Sequence, residues 1–121
     1  MDYDPIDDVI EEKLAIDSDV MAQLQSFRKA PKMRMLPGDD VDAERQRLSE
    51  LLDTLVDRLI DGIEAHPGKL WVMREFQRSL ESIGNEDNEV REHAGMELET
   101  IMDILGIESS DGLLSCYLGS L

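Results

Sequence analysis

The chain has 121 residues, 41% of them hydrophobic, which suits one compact domain and leaves little room for two. Its 28 acidic and 12 basic residues give a formal net charge of −16, which argues against docking on nucleic-acid phosphates or anionic lipid, since both need clustered cations. A single cysteine excludes an internal disulfide and any multi-cysteine zinc site.

The predicted elements are helices divided by clear punctuation. Asp4-Pro5 offers an N-cap acid followed by proline at the first helical position, and Ile6, Val9, Ile10 and Leu14 then recur at helical spacing. Asp17 or Ser18 caps a second piece carrying Val20, Met21, Leu24 and Phe27, which Pro31 stops. Residues 31–38 hold two prolines and a glycine and read as a loop. Asp39 to Ala65 is the strongest segment. Its Leu48, Leu51, Leu52, Leu55, Val56, Leu59, Ile60 and Ile63 span an arc of about 180° at ~100° per residue, wide enough to touch more than one neighbour. It is therefore expected to be the long central helix.

His66-Pro67-Gly68 breaks the chain, and Val72, Met73, Phe76, Leu80 and Ile83 mark the next helix. Gly84-Asn85 is expected to end it with a left-handed residue. The following helix starts near Asn85 and buries Val90, Ala94, Leu98, Ile101 and Leu105, with Gly106 as its C′ residue and Ile107 closing the end. Ser109 or Ser110 caps a short last helix containing Leu113, Leu114, Tyr117 and Leu118. Sustained period-two alternation is absent. The expected fold is all-α, a compact bundle of five to six helices. Residues 1–36, set apart by two prolines and narrower apolar stripes, read as an acidic appendage with a basic loop. They either fold over the 37–121 core or wrap a partner.

Charge is uneven along this layout. Residues 1–19 carry eight acids and one lysine, residues 28–34 four cations and no acid, and residues 81–121 ten acids and one arginine. The basic segment is expected to lie against one acidic end. On the helix after Asn85, the wheel puts Glu89, Glu92, Glu99 and Asp103 opposite the buried side, with Met96 roughly 160° from the core direction. A flexible apolar side chain ringed by carboxylates suits an anchor for a cationic partner. An exposed methionine is also ordinary helix surface. Like charges at i, i+3 and i, i+4 cost a few tenths of a kcal/mol each, a cost that a helix selected for stability alone would avoid. Trp71, with Arg74 and Arg78 at i+3 and i+7, has the composition of an interface hot spot, or else lies beneath the N-terminal helices.

Catalytic chemistry is missing. Cys116, beside Leu114, Tyr117 and Leu118, reads as a buried inert thiol. Glu89, His93 and Glu97 lie on successive turns, but one histidine on one helix falls short of a di-iron set. The acidic run Asn85 to Glu89 lacks the glycine and terminal glutamate of an EF-hand loop. No P-loop or dinucleotide fingerprint occurs. Neither an enzyme nor a cofactor is expected.

No apolar run approaches the roughly 20 residues of a membrane span. Met1-Asp2-Tyr3-Asp4 is acidic where a secretory signal begins basic, so a cytoplasmic location is expected. The stretch Asp57-Arg58-Leu59-Ile60 through His66-Pro67-Gly68, then Leu70, Phe76-Gln77 and Leu80, resembles the helix–YPG–helix region of immunity proteins paired with type VI NAD(P)⁺-hydrolysing toxins. The run Ile101 to Gly112 resembles small bacterial domains of unknown function.

The first resemblance implies an immunity protein that binds and inhibits a cognate cytoplasm-acting toxin, as a monomer in a 1:1 complex. An acidic helical face would occlude a basic active-site cleft, gaining fast association from electrostatic steering. Trp71, Glu89, Glu92, Met96, Glu99 and Asp103 are the expected partner-binding residues. Met96→Arg or Trp71→Ala should then weaken inhibition. The alternative is an acidic secretion chaperone or adaptor, commonly dimeric, holding a client. A nucleic-acid mimic fits less well, because the acids gather at the chain ends.

Overall fold

A computed structural model describes residues 3–34 and 42–119. The chain is an all-α bundle, with five helices among the described residues: α1 Ser18–Lys29, α2 Asp42–Gly62, α3 Lys69–Ile83, α4 Asn88–Leu105 and α5 Leu113–Leu118. Among the described residues, extended pairing is limited to one antiparallel bridge between Lys13 and Gly68. No helix among the described residues is long and apolar enough to cross a membrane.

The apolar stripes become the core. Leu48, Leu52, Leu55, Val56 and Leu59 of α2 are buried, and the wide stripe is shared between α1 on one side and α3 on the other. The short α3 touches α2, α4, α5 and the N-terminal turn, so it is the element around which the others assemble. Its Val72, Met73, Phe76 and Leu80 are fully buried, each worth about 1.5–3 kcal/mol of apolar transfer.

The N-terminal segment departs from the expected helix. Pro5–Asp8 forms a single 3-10 turn, capped by the Asp4 side chain, and the chain then runs extended to Asp17. Ile10, placed on the apolar stripe by helical spacing, is instead 71% exposed. The extended form wins because its backbone groups find partners at the start of α3 and in the turn before it: Leu14 N–H donates to Pro67 O at 2.7 Å, and Lys69 N–H to Glu12 O at 2.9 Å. Residues 3–34 thus fold over the bundle, and Ile6, Val9, Leu14, Leu24 and Met33 share one buried cluster with the later helices.

One further expectation is corrected and another is met in part. Gly84 ends α3 at φ −61°, ψ −20°, in ordinary right-handed geometry, because the chain turns directly into the next cap through Asn85 and Glu86 N–H bonds to Ser82 and Ile83. The basic segment lies between α2 and the acidic C-terminal region: its Met33 and Arg34 adjoin Glu97 of α4, while two of its cations pair on α2. Arg28 pairs with Asp53 and Asp57, and Lys32 with Asp53. Lys32 is 2% exposed, and its ammonium also donates to the Arg28 and Ala30 carbonyls. Those carbonyls end α1, where a cation is favoured by the helix dipole. Part of the expected 31–38 loop and the start of the long helix, at 39–41, lie outside the described residues.

Candidate functional site

The phase of α4 is fixed at both ends. Asp87 caps it by accepting the Val90 N–H at 3.0 Å. Gly106 ends it at φ 76°, where a side chain would be strained, and Ile107 tucks in behind. With Val90, Ala94, Leu98, Ile101 and Leu105 turned inward, Glu89, Glu92, Met96, Glu99 and Asp103 all face outward and are exposed.

This ridge is chemically unusual for what it does not do. Among the described residues, Glu92, Glu99 and Asp103 make no ion pair or side-chain hydrogen bond, and Glu89 has only a 3.8 Å approach to His93. Glu89 faces Glu92 at i+3, and Glu99 faces Asp103 at i+4, so the face repels itself. Met96, 53% exposed, stands in its middle.

A hollow of about 200 Å³ adjoins Met96, lined also by Met33, Arg34, His93 and Glu97. The segment after α1 is held there through Met33, whose φ of 59° is rare for a residue with a side chain. Glu97 Oε2 accepts the Met33 N–H at 3.0 Å, and Arg45 Nε donates to its carbonyl at 3.0 Å. Glu97 is thereby committed to structure, and the described residues contain no group of three metal-ligating side chains. At the other end of the ridge, Glu99 and Asp103 line a hollow of about 460 Å³ with Glu108, Ser109, Ser110 and Leu114.

Trp71 is not part of this ridge. It is half-buried at the start of α3, beside Glu11 and Lys13 of the extended N-terminal segment, with His66 stacked on it at 5.4 Å between ring centroids. Arg78 turns away to Glu75, 3.1 Å distant, so the expected Trp–Arg–Arg cluster does not form. Cys116 is exposed, correcting the expectation of a buried thiol: Leu113, Leu114 and Leu118 take the inner side of α5, leaving Cys116 outside. Sequence reasoning missed Met33 and Arg34 beside Met96, and Glu11 and Lys13 beside Trp71. Each meets its site from a distant part of the chain, without a local motif. The His66-Pro67-Gly68 turn three residues before Trp71 was the one readable signal for the second cleft.

Fold and surface together define a small all-helical protein with an uncompensated acidic ridge. A family model described as a domain of unknown function (DUF4844) matches residues 15–120, and the chain belongs to that family. No curated protein and no solved structure matches it.

Proposed function

We propose that the chain is a binding protein of the immunity type, which inhibits a cytoplasm-acting bacterial toxin by seating the α4 ridge in that partner's basic cleft. The observation that carries the reading is the unspent charge of Glu92, Glu99 and Asp103 around an exposed Met96. Carboxylates held on a helix need no ordering before they meet cations, so they favour rapid, steered association. Met96 supplies an adaptable apolar contact at the centre, where binding energy concentrates. The toxin itself is implied by the sequence resemblance to immunity proteins. The complex is 1:1 and the free chain monomeric.

The test is retrieval of partners from the native host at low salt, followed by an activity assay of the purified partner with and without the chain. One stoichiometric enzyme is expected, inhibited when bound and released from inhibition by Met96→Arg or by Glu92→Lys with Glu99→Lys. Equal inhibition by these variants would remove α4 from the interface. A client held without loss of activity, by a dimeric chain, would replace immunity with the secretion-chaperone reading.

A further inference from the structure

The cleft at Trp71 is a separate construction from the α4 ridge. Its floor exists because residue 62 is glycine: a Cβ there would come within 2.6 Å of Trp71 Cζ2. The indole settles against that bare backbone, and the His66 ring lies over it with an interplanar angle of 21°. Pro67 and Gly68 complete an apolar wall around about 330 Å³. That volume is near the lower limit for small-ligand sites, enough for one ring and a short chain.

The rim sets the sign of the ligand. Glu11 is the one acid lining the cleft, and its Oε1 is occupied by the Leu70 and Glu12 N–H groups at 3.0 and 2.8 Å. It fills the amino end of α3, so no free helix terminus offers itself to an anion. Lys13, across the cleft, makes no ion pair among the described residues, although the chain has 28 acids. Arg74, one turn along from Trp71, is exposed, and its charge acts on Glu11 and Asp4, helping their hydrogen bonds to hold both carboxyls below their usual pKa. With Glu11 engaged by backbone N–H groups and by Arg74, the charge lining the aromatic wall that has no ion partner among the described residues is the positive one, Lys13.

We propose that this cleft binds a small apolar carboxylate, its body against Trp71, His66 and Pro67 and its anionic group on the Lys13 ammonium.

Trp71 is the chain's one tryptophan, so its emission reports the site directly. The probes are 4-phenylbutyrate and its uncharged amide, titrated into the full chain by fluorescence and repeated by ligand-observed NMR. The acid is expected to saturate with a Kd on the order of 0.1–1 mM, and the amide to bind about threefold to fivefold more weakly. Lys13→Ala should abolish the preference for the acid, while Glu92→Lys on α4 leaves it unchanged. Trp71→Phe, which keeps a ring in the wall, should retain binding by NMR, and Gly62→Val should lose it. Absence of saturation up to about 10 mM, or acid and amide binding alike, overturns the proposal. A peptide with an apolar C-terminal residue binding more than about tenfold tighter would also overturn it, in favour of a protein tail.

Discussion

Replacing Asp111 by asparagine tests how the N-terminal segment, α3 and the start of α5 are tied together. Lys69 is 4% exposed, and its Nζ lies 2.7 Å from Asp111 Oδ2, which also accepts the Ile10 N–H at 2.9 Å. Asp111 has φ 55°, a left-handed conformation that asparagine adopts as readily, so Asp111→Asn preserves backbone and shape while removing the charge. The Lys69 ammonium is then stranded. Removing one partner of a buried ion pair costs about 3–5 kcal/mol, but the Asp111 side chain is 20% exposed and asparagine still offers a carbonyl, so about 2 kcal/mol is expected. For a chain of this size that lowers Tm by about 8 °C. Lys69→Met keeps the packed stem without the charge and should cost under about 1 kcal/mol. The Lys69 ammonium, and then the Ile10 N–H, hold the Asp111 carboxyl below its usual pKa. The wild-type advantage is thus complete above about pH 4 and fades as pH falls through the lowered folded value. Urea denaturation followed by circular dichroism at neutral and acidic pH measures both effects. An Asp111→Asn variant within about 0.5 kcal/mol of wild type at neutral pH would refute this role for the pair.

Glu11→Gln should destabilise the chain at neutral pH, because the carboxylate takes the Leu70 and Glu12 N–H groups at an α3 terminus whose own cap is Gly68. Those N–H groups, Leu70 first, hold its pKa down. The difference from wild type should therefore shrink as pH falls through the lowered folded value, and a gap that persists in acid would contradict it. Cys116 should react stoichiometrically with a thiol reagent in the native state, without unfolding; labelling that waits for denaturant would place it inside.

Helix identity was legible wherever one stripe decided it. The apolar positions of α2, α3 and α4 are buried as their spacing requires, and Asp17 and Gly106 work as cap and stop because local backbone chemistry settles them. The N-terminal segment was not legible. Ile6, Val9, Ile10 and Leu14 fit a helical wheel, yet backbone bonds to Pro67 and Lys69, more than 50 residues away, favour an extended chain. Spacing carries no trace of such a tertiary partner. The basic segment was legible only in part: it does meet Glu97 of the acidic C-terminal region, but its ion pairs lie elsewhere. Net charge by region pointed to the acidic ends, whereas Arg28 and Lys32 answer to two aspartates, Asp53 and Asp57, on the neighbouring helix. Coulomb attraction is decided within a few ångströms, and regional sums do not resolve that distance. The α4 ridge was readable because it requires only the phase of one helix. The Trp71 cleft needed Glu11 and Lys13 of the N-terminal segment and Gly62 of α2 to meet at the start of α3.

The way the chain spends its acids sharpens the case for the ridge. Asp4, Asp17 and Asp87 cap helical turns, Glu11 crosses to α3, and Asp53, Asp57, Glu75, Glu86 and Asp111 each meet a cation. Carboxylates on α2 and α3 thus perform intramolecular work, and even Glu97 on α4 binds the Met33 backbone. Among the described residues, Glu92, Glu99 and Asp103 of α4 do none of it, and Glu89 has only its 3.8 Å approach to His93. A requirement for solubility alone would be met equally well by lysines alternating with those glutamates, at lower cost to the helix. One sign of charge kept on one rigid face, with a methionine at its centre, is the arrangement that the proposed docking on a cationic partner would use.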